Sequence, residues 1–386
     1  MGKRIVFSFW NYVQSGVLGK EAVSDWKELG INVAMSFEYN PKTDKKQDMI
    51  DILDECAAQG IQLIICDKRT SYKTYEEMDY AQFEQGIRKA VADFGGHSAT
   101  YGFSVGDEPK RTQMEGVKTA IKLLKRFAPN LTPFINVYPY WATRDFCDAT
   151  GAENREDYFY VIDDMIKDCQ QPMIAYDHYG QCADYEDPET GIDTYFTNLN
   201  FFHELAERNQ IPFWNTVLSV GHWVYRVPTE DDIRWQIYTS LAPGARGIMW
   251  FFFYMRYLHD NYRNSPFDAR YKRTEMFNIL ARQAAIFEDN YADLFEYLTM
   301  EKVMHHNKAY GKTPLFMPDD VITEIKDRRG FPIIVTYYKG KDGEKWLSVV
   351  NGHQTLSNHI EVTLANGEKQ SFWLAPGQMG LYKVGE

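Results

Sequence analysis

Asp107 and Glu108 end the stretch Tyr101–Lys110, YGFSVGDEPK, where an apolar run closes on two adjacent carboxylates and a proline. A second acid in the same setting is Asp177, in MIAYDHYG. Glu38 and Asp67 likewise follow the apolar runs INVAMSF and IQLIIC. A carboxyl at the mouth of an apolar scaffold is desolvated, which favours its protonated form and makes it a proton donor near neutral pH. One protonated and one ionised carboxyl together suit cleavage of a glycosidic bond: the first protonates the leaving oxygen, and the second stabilises, attacks or activates water. Glu108 is the expected acid and Asp177 the expected partner, with Glu38 and then Asp67 as the next choices. Asp107 either orients Glu108 or caps the helix that follows. The plainer reading of Asp177 is a rim ion pair with Arg69 or Lys68.

The polar and aromatic residues at other run ends fit a neutral polyol with apolar faces. These are Trp10, Asn136, Tyr138, Tyr176, Tyr179 and Trp250, which join Glu38, Asp67 and Asp107 as expected substrate-binding groups. Trp141 and Trp223 are further candidate sugar platforms, whereas Phe251, Phe252 and Phe253 read as core. There is no glycine-rich phosphate loop, no HExxH helix and no G-x-S-x-G turn. His178 and His222 lack a second histidine at ligand spacing, so no metal is expected and no cofactor is implied. The acidic stretch 184–193, DYEDPETGID, lacks the spacing of a calcium loop and reads as solvated. His305 and His306 read as solvent-facing residues near a domain junction.

Eight short apolar runs must position these groups: 4–10, 31–37, 61–67, 99–105, 132–138, 172–179, 211–217 and 246–252. Most are continuously apolar, as parallel strands covered on both faces are. Between them the period becomes helical. Met49, Ile52, Leu53, Cys56 and Ala57 share one face, as do Val117, Ala120, Ile121 and Leu124. Gly30 and Gly60 fall where helices should stop, and Thr229 opens a capped start. Eight such units over residues 1–299 predict a (β/α)8 barrel, with active groups at the C-terminal strand ends. From 300 to 386 short alternating runs take over, with Asp342-Gly343 and Asn366-Gly367 marking hairpins. They predict a small antiparallel β-sandwich.

The composition sets limits. The chain has 386 residues and a net charge of −12, so a nucleic-acid partner, which needs a basic face, is not expected. Five dispersed cysteines without a CxxC pair read as free thiols in a reducing compartment. No run reaches the length of a membrane helix, so no membrane partner is expected. The start MGKRIVFSFW runs directly into a strand. A cytoplasmic protein is expected, though a trimmed signal peptide would leave the same start. The expected partner is a carbohydrate. The sequence does not set an oligomeric state.

YGFSVGDEP resembles the strand-four end of the GH-A clan of retaining (β/α)8-barrel glycoside hydrolases, where an Asn-Glu or Asp-Glu pair supplies the acid/base. Strand eight with Trp250 and the C-terminal β-domain are also similar to that clan. The resemblance implies Glu108 as acid/base. The clan's nucleophile is a glutamate ending strand seven, but here that strand reads IPFWNTVLSVGHW and has none. Glu230 lies beyond it, in a helix start. MIAYDHYG and GIMWFFF also resemble chitinase-like barrels, which would set Tyr176 and Asp177 on a substrate acetamido group, although their DxxDxDxE run is absent. A carbohydrate-binding barrel without catalysis is the third reading, and the missing strand-seven glutamate is its only support.

Overall fold

The computed structural model describes residues 4–141, 143–256 and 261–385. Its eight parallel strands are β1 (Val6–Phe9), β2 (Val33–Tyr39), β3 (Gln62–Asp67), β4 (Thr100–Asp107), β5 (Thr132–Val137), β6 (Ile174–Asp177), β7 (Phe213–Leu218) and β8 (Gly247–Phe251). Each lies within or close to its expected run. Neighbours in sequence are neighbours in the sheet, and β8 pairs back onto β1, with Val6 opposite Gly247 and Phe9 opposite Trp250. The ring closes between β2 and β1 largely through asparagines. Asn32 Oδ1 accepts from the Phe7 N–H at 3.0 Å, and Asn11 Nδ2 donates to the Met35 carbonyl at 3.1 Å.

Side chains alternate across each strand and create two packed layers. Val33, Met35, Ile64, Phe134, Trp214 and Met249 fill the barrel interior. The outward residues meet the helices, whose buried faces are the periodic ones: Met49, Ile52, Leu53 and Cys56 in helix Lys46–Gln59, and Val117, Ala120, Ile121 and Leu124 in helix Met114–Phe127. Ala57 is exposed. Gly60 caps its helix with φ +71°, and Thr229 and Asp232 form a reciprocal capping box at the start of helix Glu230–Leu241.

Seven further strands make two antiparallel sheets. One contains β9 (Thr299–His306), β11 (Ile333–Lys339), β12 (Lys345–Asn351) and β15 (Met379–Lys383). The other contains β10 (Ile322–Asp327), β13 (Asn358–Leu364) and β14 (Lys369–Leu374). The sheets share a core that includes Ile322, Val335, Leu347 and Val362. The sandwich is tied to the barrel's helices, for example by Trp235 Nε1 donating to the Gly352 carbonyl at 2.9 Å. This docking corrects one expectation. His305 is 2% exposed and lies edge-on to Phe196 with its ring 4.7 Å away, because the barrel helix Pro188–Asn209 packs over this strand of the sandwich. No helix among the described residues is long and apolar enough to cross a membrane, and the five cysteines are unpaired.

Candidate active site

The end of β4 is shaped by its glycine. The β4–β5 register shifts between Ser104 and Gly106. Gly106 has φ +144°, and a Cβ there would sit 2.4 Å from the Tyr72 ring. Tyr72 in turn donates its hydroxyl to the Asp107 carbonyl at 2.7 Å. Glu108 follows with φ +45°, in the left-handed region where a non-glycine residue costs about 1–3 kcal/mol. It is held there by its N–H, which donates to the Asn136 carbonyl at 2.9 Å. The backbone therefore turns within two residues to present Asp107 and Glu108 together.

Asn136 ties this turn to β6. Its Nδ2 donates to Asp107 Oδ1 at 3.0 Å and to Asp177 Oδ1 at 2.8 Å. One nitrogen spans both acceptors, so those two oxygens lie within about 6 Å of each other. Asn136 thus touches all three acidic residues, two through its amide and Glu108 through its backbone. Its own Oδ1 is buried with no partner among the described residues.

The three carboxyls are half-buried, and all are pushed above the ordinary carboxylate range. For Glu108 the main cause is burial, then the charges of Asp177 and Asp107. For Asp107 it is burial, then Asp177. Glu108 is raised further than Asp107. Burial also raises Asp177, but hydrogen bonds from Asn136 and Tyr179 hold it back. Lys73 favours ionisation of Asp107 and Glu108 only weakly. All three acids therefore hold their protons more tightly than free carboxyls, Glu108 more tightly than Asp107, as interacting acids in a poorly solvated mouth do.

Aromatic rings wall this cluster. The Tyr179 ring stacks on Phe251 at 5.4 Å and meets Tyr225 edge-on at 5.5 Å. Phe251 meets Tyr12 edge-on at 6.0 Å. The charge of Asp107 helps raise the Tyr12 hydroxyl, after burial, and the charge of Glu108 does the same for Tyr138. Trp10 forms the floor, with its ring 6.2 Å from Tyr12 and 6.4 Å from Phe134.

The structure brings together Trp10, Asp107, Glu108, Asn136, Tyr138, Asp177 and Tyr179. It places four other expected residues elsewhere. Trp250 is 2% exposed and faces the outer layer with Ile248, so the inward aromatic of β8 is Phe251. Tyr176 is fully buried and stacks at 3.9 Å on Phe202 of the covering helix Pro188–Asn209. Its hydroxyl therefore cannot reach a substrate acetamido group. Asp67 is taken up by Arg69, with Nη2 2.7 Å from Oδ2, and Arg69 also pairs with Asp93 at 2.8 Å. Glu38 lies on the exposed rim 3.5 Å from Lys68 and lines a polar cavity with Tyr12 and Asn40. Both cations suggested for Asp177 are thus paired with other acids. Asp107 does not cap the next turn, where the Lys110 N–H donates to Gln113.

The inward residues of β7 are Trp214, Thr216 and Leu218, so β7 supplies no carboxylate. Glu230 is the first residue of its helix and pairs with Arg282 at 2.9 Å. No histidine, cysteine and carboxylate group among the described residues could hold a metal. The acidic stretch becomes a helix start, with Asp187 capping Glu189. Sequence reasoning missed Tyr12, Tyr225 and Phe251. Tyr12 sits two residues beyond Trp10 in the loop that leaves β1, and that nearness was the available signal. A cavity of about 750 Å³ opens at the opposite, N-terminal end of the strands beside Val6, Phe213 and Arg246. Barrel chemistry is organised at the other end, where the acids converge.

No protein-family model matches the chain, and no curated protein does. Solved structures do. A β-galactosidase from Marinomonas ef1 aligns with TM-score 0.56 and 10% identity, over 76% of this chain and 62% of that one. A β-galactosidase from Halorubrum lacusprofundi aligns at 0.53 and 12%, over 73% and 57%. A glucosidase from Croceicoccus marinus aligns at 0.51 and 11%, over 92% and 76%. The chain spans less than two thirds of the two β-galactosidases. At these identities the likeness is one of fold alone, a (β/α)8 barrel.

Proposed function

We propose that the chain hydrolyses a glycosidic bond in a neutral glycoside or oligosaccharide. Glu108 acts as the general acid: its proton passes to the glycosidic oxygen as the bond to the anomeric carbon breaks. Asp177 supplies the ionised carboxylate that faces the positive charge developing on that carbon; water then adds to the carbon and gives up a proton to the cluster, which restores protonated Glu108. The observation that carries this reading is Asn136 Nδ2 bridging Asp107 and Asp177 while its carbonyl holds Glu108. The split in proton affinity supports the roles, since Glu108 is raised by both neighbours whereas Asp177 is hydrogen-bonded in its ionised form. Asp107 acts through Asn136 to fix Asp177. The net charge of −12 disfavours a polyanion and supports a neutral sugar.

The test is release of nitrophenolate from nitrophenyl glycosides of both anomers. The wild type cleaves at least one of them, and Glu108→Gln does not support general-acid cleavage of the matching alkyl glycoside. Cleavage of that alkyl glycoside by Glu108→Gln at the wild-type rate would remove Glu108 from the role.

A further inference from the structure

Trp223 is 60% exposed and Val224 61%. They form the tip of a two-residue hairpin, closed by the His222 N–H donating to the Tyr225 carbonyl at 3.1 Å and the Tyr225 N–H donating to the His222 carbonyl at 2.7 Å. Trp223 has φ +45°. The first position of such a tight turn is glycine's place, and a bulky residue there is strained. The ring gains little burial in return. The strain is therefore not offset by packing, which points to a use for the ring outside the fold.

The hairpin is held from both sides. From the β6 side, the Asp184 N–H donates to the Val224 carbonyl at 3.0 Å and the Arg226 N–H to the Cys182 carbonyl at 2.9 Å. From the β8 side, Asn261 Nδ2 donates to the Trp223 carbonyl at 3.2 Å and Arg263 Nη2 to the Tyr225 carbonyl at 3.0 Å. The tip is fixed before any ligand arrives, so an aromatic face there costs little ordering on binding. Its ring also continues the wall of the mouth. Trp223 is 5.2 Å from His222, His222 is 5.0 Å from Phe251, and Phe251 is 6.0 Å from Tyr12 beside the carboxyls.

We propose that Trp223 is the outer sugar platform of an extended cleft, stacking on a unit of the substrate beyond the bond that is cleaved. The substrate is then an oligosaccharide rather than a lone glycoside. This inference rests on the proposed carbohydrate site and deepens it.

The test compares wild type with Trp223→Gly, which accepts the positive φ without strain, and with Trp223→Ala. Affinity is measured by calorimetry on gluco-, galacto-, manno- and xylo-configured tetrasaccharides of both linkages, in the Glu108→Gln background. Melting temperature and hydrolysis of the nitrophenyl monoglycosides are followed alongside. The expected result is a loss of tetrasaccharide affinity of about tenfold or more in both variants, as for an exposed tryptophan anchor. Trp223→Gly should melt at or above the wild type, and monoglycoside kcat/KM should stay within about twofold. Unchanged tetrasaccharide affinity overturns the inference, and if nitrophenyl glycosides are still cleaved the glycosidase reading survives it. A marked fall in the melting temperature of Trp223→Gly also overturns it, because the ring would then be structural. If no glycoside is cleaved but tetrasaccharides bind through Trp223, the inference stands and the hydrolase reading falls. If no tetrasaccharide binds, the platform falls too.

Discussion

Asn136 Nδ2 lies 2.8 Å from Asp177 Oδ1 and 3.0 Å from Asp107 Oδ1, so one amide on β5 sets the geometry of two acids on the strands either side of it. Replacing it with alanine removes both bonds and lets the carboxyls separate. We expect kcat to fall about a hundredfold, the usual consequence of a small misplacement of reacting groups. The pH profile should move as well. The amide lowers the proton affinity of both aspartates, so its loss raises them, and the limb that requires ionised Asp177 shifts to higher pH. A rate loss with an unmoved limb would make Asn136 merely structural.

Glu108→Gln should separate the catalytic role from the stability of the fold. As general acid, Glu108 contributes about 10²–10⁴-fold, most for poor leaving groups that need the proton. The variant should therefore lose alkyl glycosides far more than nitrophenyl ones. Folding raises the proton affinity of this group, so the stability linked to its proton is present below the ordinary carboxylate range and is lost as pH rises through the raised folded value. Above neutrality the glutamine form should melt about 2 °C or more higher than wild type. Melting curves across pH check the sign.

Tyr176 distinguishes two kinds of glycosidase chemistry. Its hydroxyl is buried with no hydrogen-bond partner among the described residues, and its ring stacks on Phe202. Tyr176→Phe should leave kcat/KM within about threefold and stability unchanged or slightly higher. A large fall in kcat on an N-acetylhexosaminide would bring back the substrate-assisted reading.

Asp67 should matter to stability alone. Its carboxylate is buried against Arg69, which also holds Asp93. Asp67→Ala leaves that guanidinium partly uncompensated and should cost about 3 kcal/mol. Kinetic constants measured well below the melting point should be those of the wild type.

The barrel was legible because its strands are continuous apolar runs and its helices keep a clean period, as in Met49, Ile52, Leu53 and Cys56. The GDEP end was legible because a buried strand has no packing reason to finish in two acids. Which way the other strand-end residues face was harder to read. Tyr176 and Asp177 are adjacent, so one faces the helix and the other the mouth, and a run apolar on both faces does not say which. The same ambiguity exchanged Trp250 for Phe251. Asp67 was misleading because its carboxylate is taken by Arg69 two residues on, and the Asp93 that also holds Arg69 is brought there only by folding. The bridging role of Asn136 depends on the β4 bulge at Gly106, and no periodicity signals that bulge.

The most direct test places the carboxylate variants side by side on whichever nitrophenyl glycoside the wild type cleaves. The account predicts that Glu108→Gln and Asp177→Asn each lose hydrolysis by orders of magnitude, while Glu38→Gln, altered only at its exposed pair with Lys68, keeps it. Wild-type turnover by Asp177→Asn, or a larger loss in Glu38→Gln than in Asp177→Asn, would contradict the pairing of Glu108 with Asp177 across Asn136.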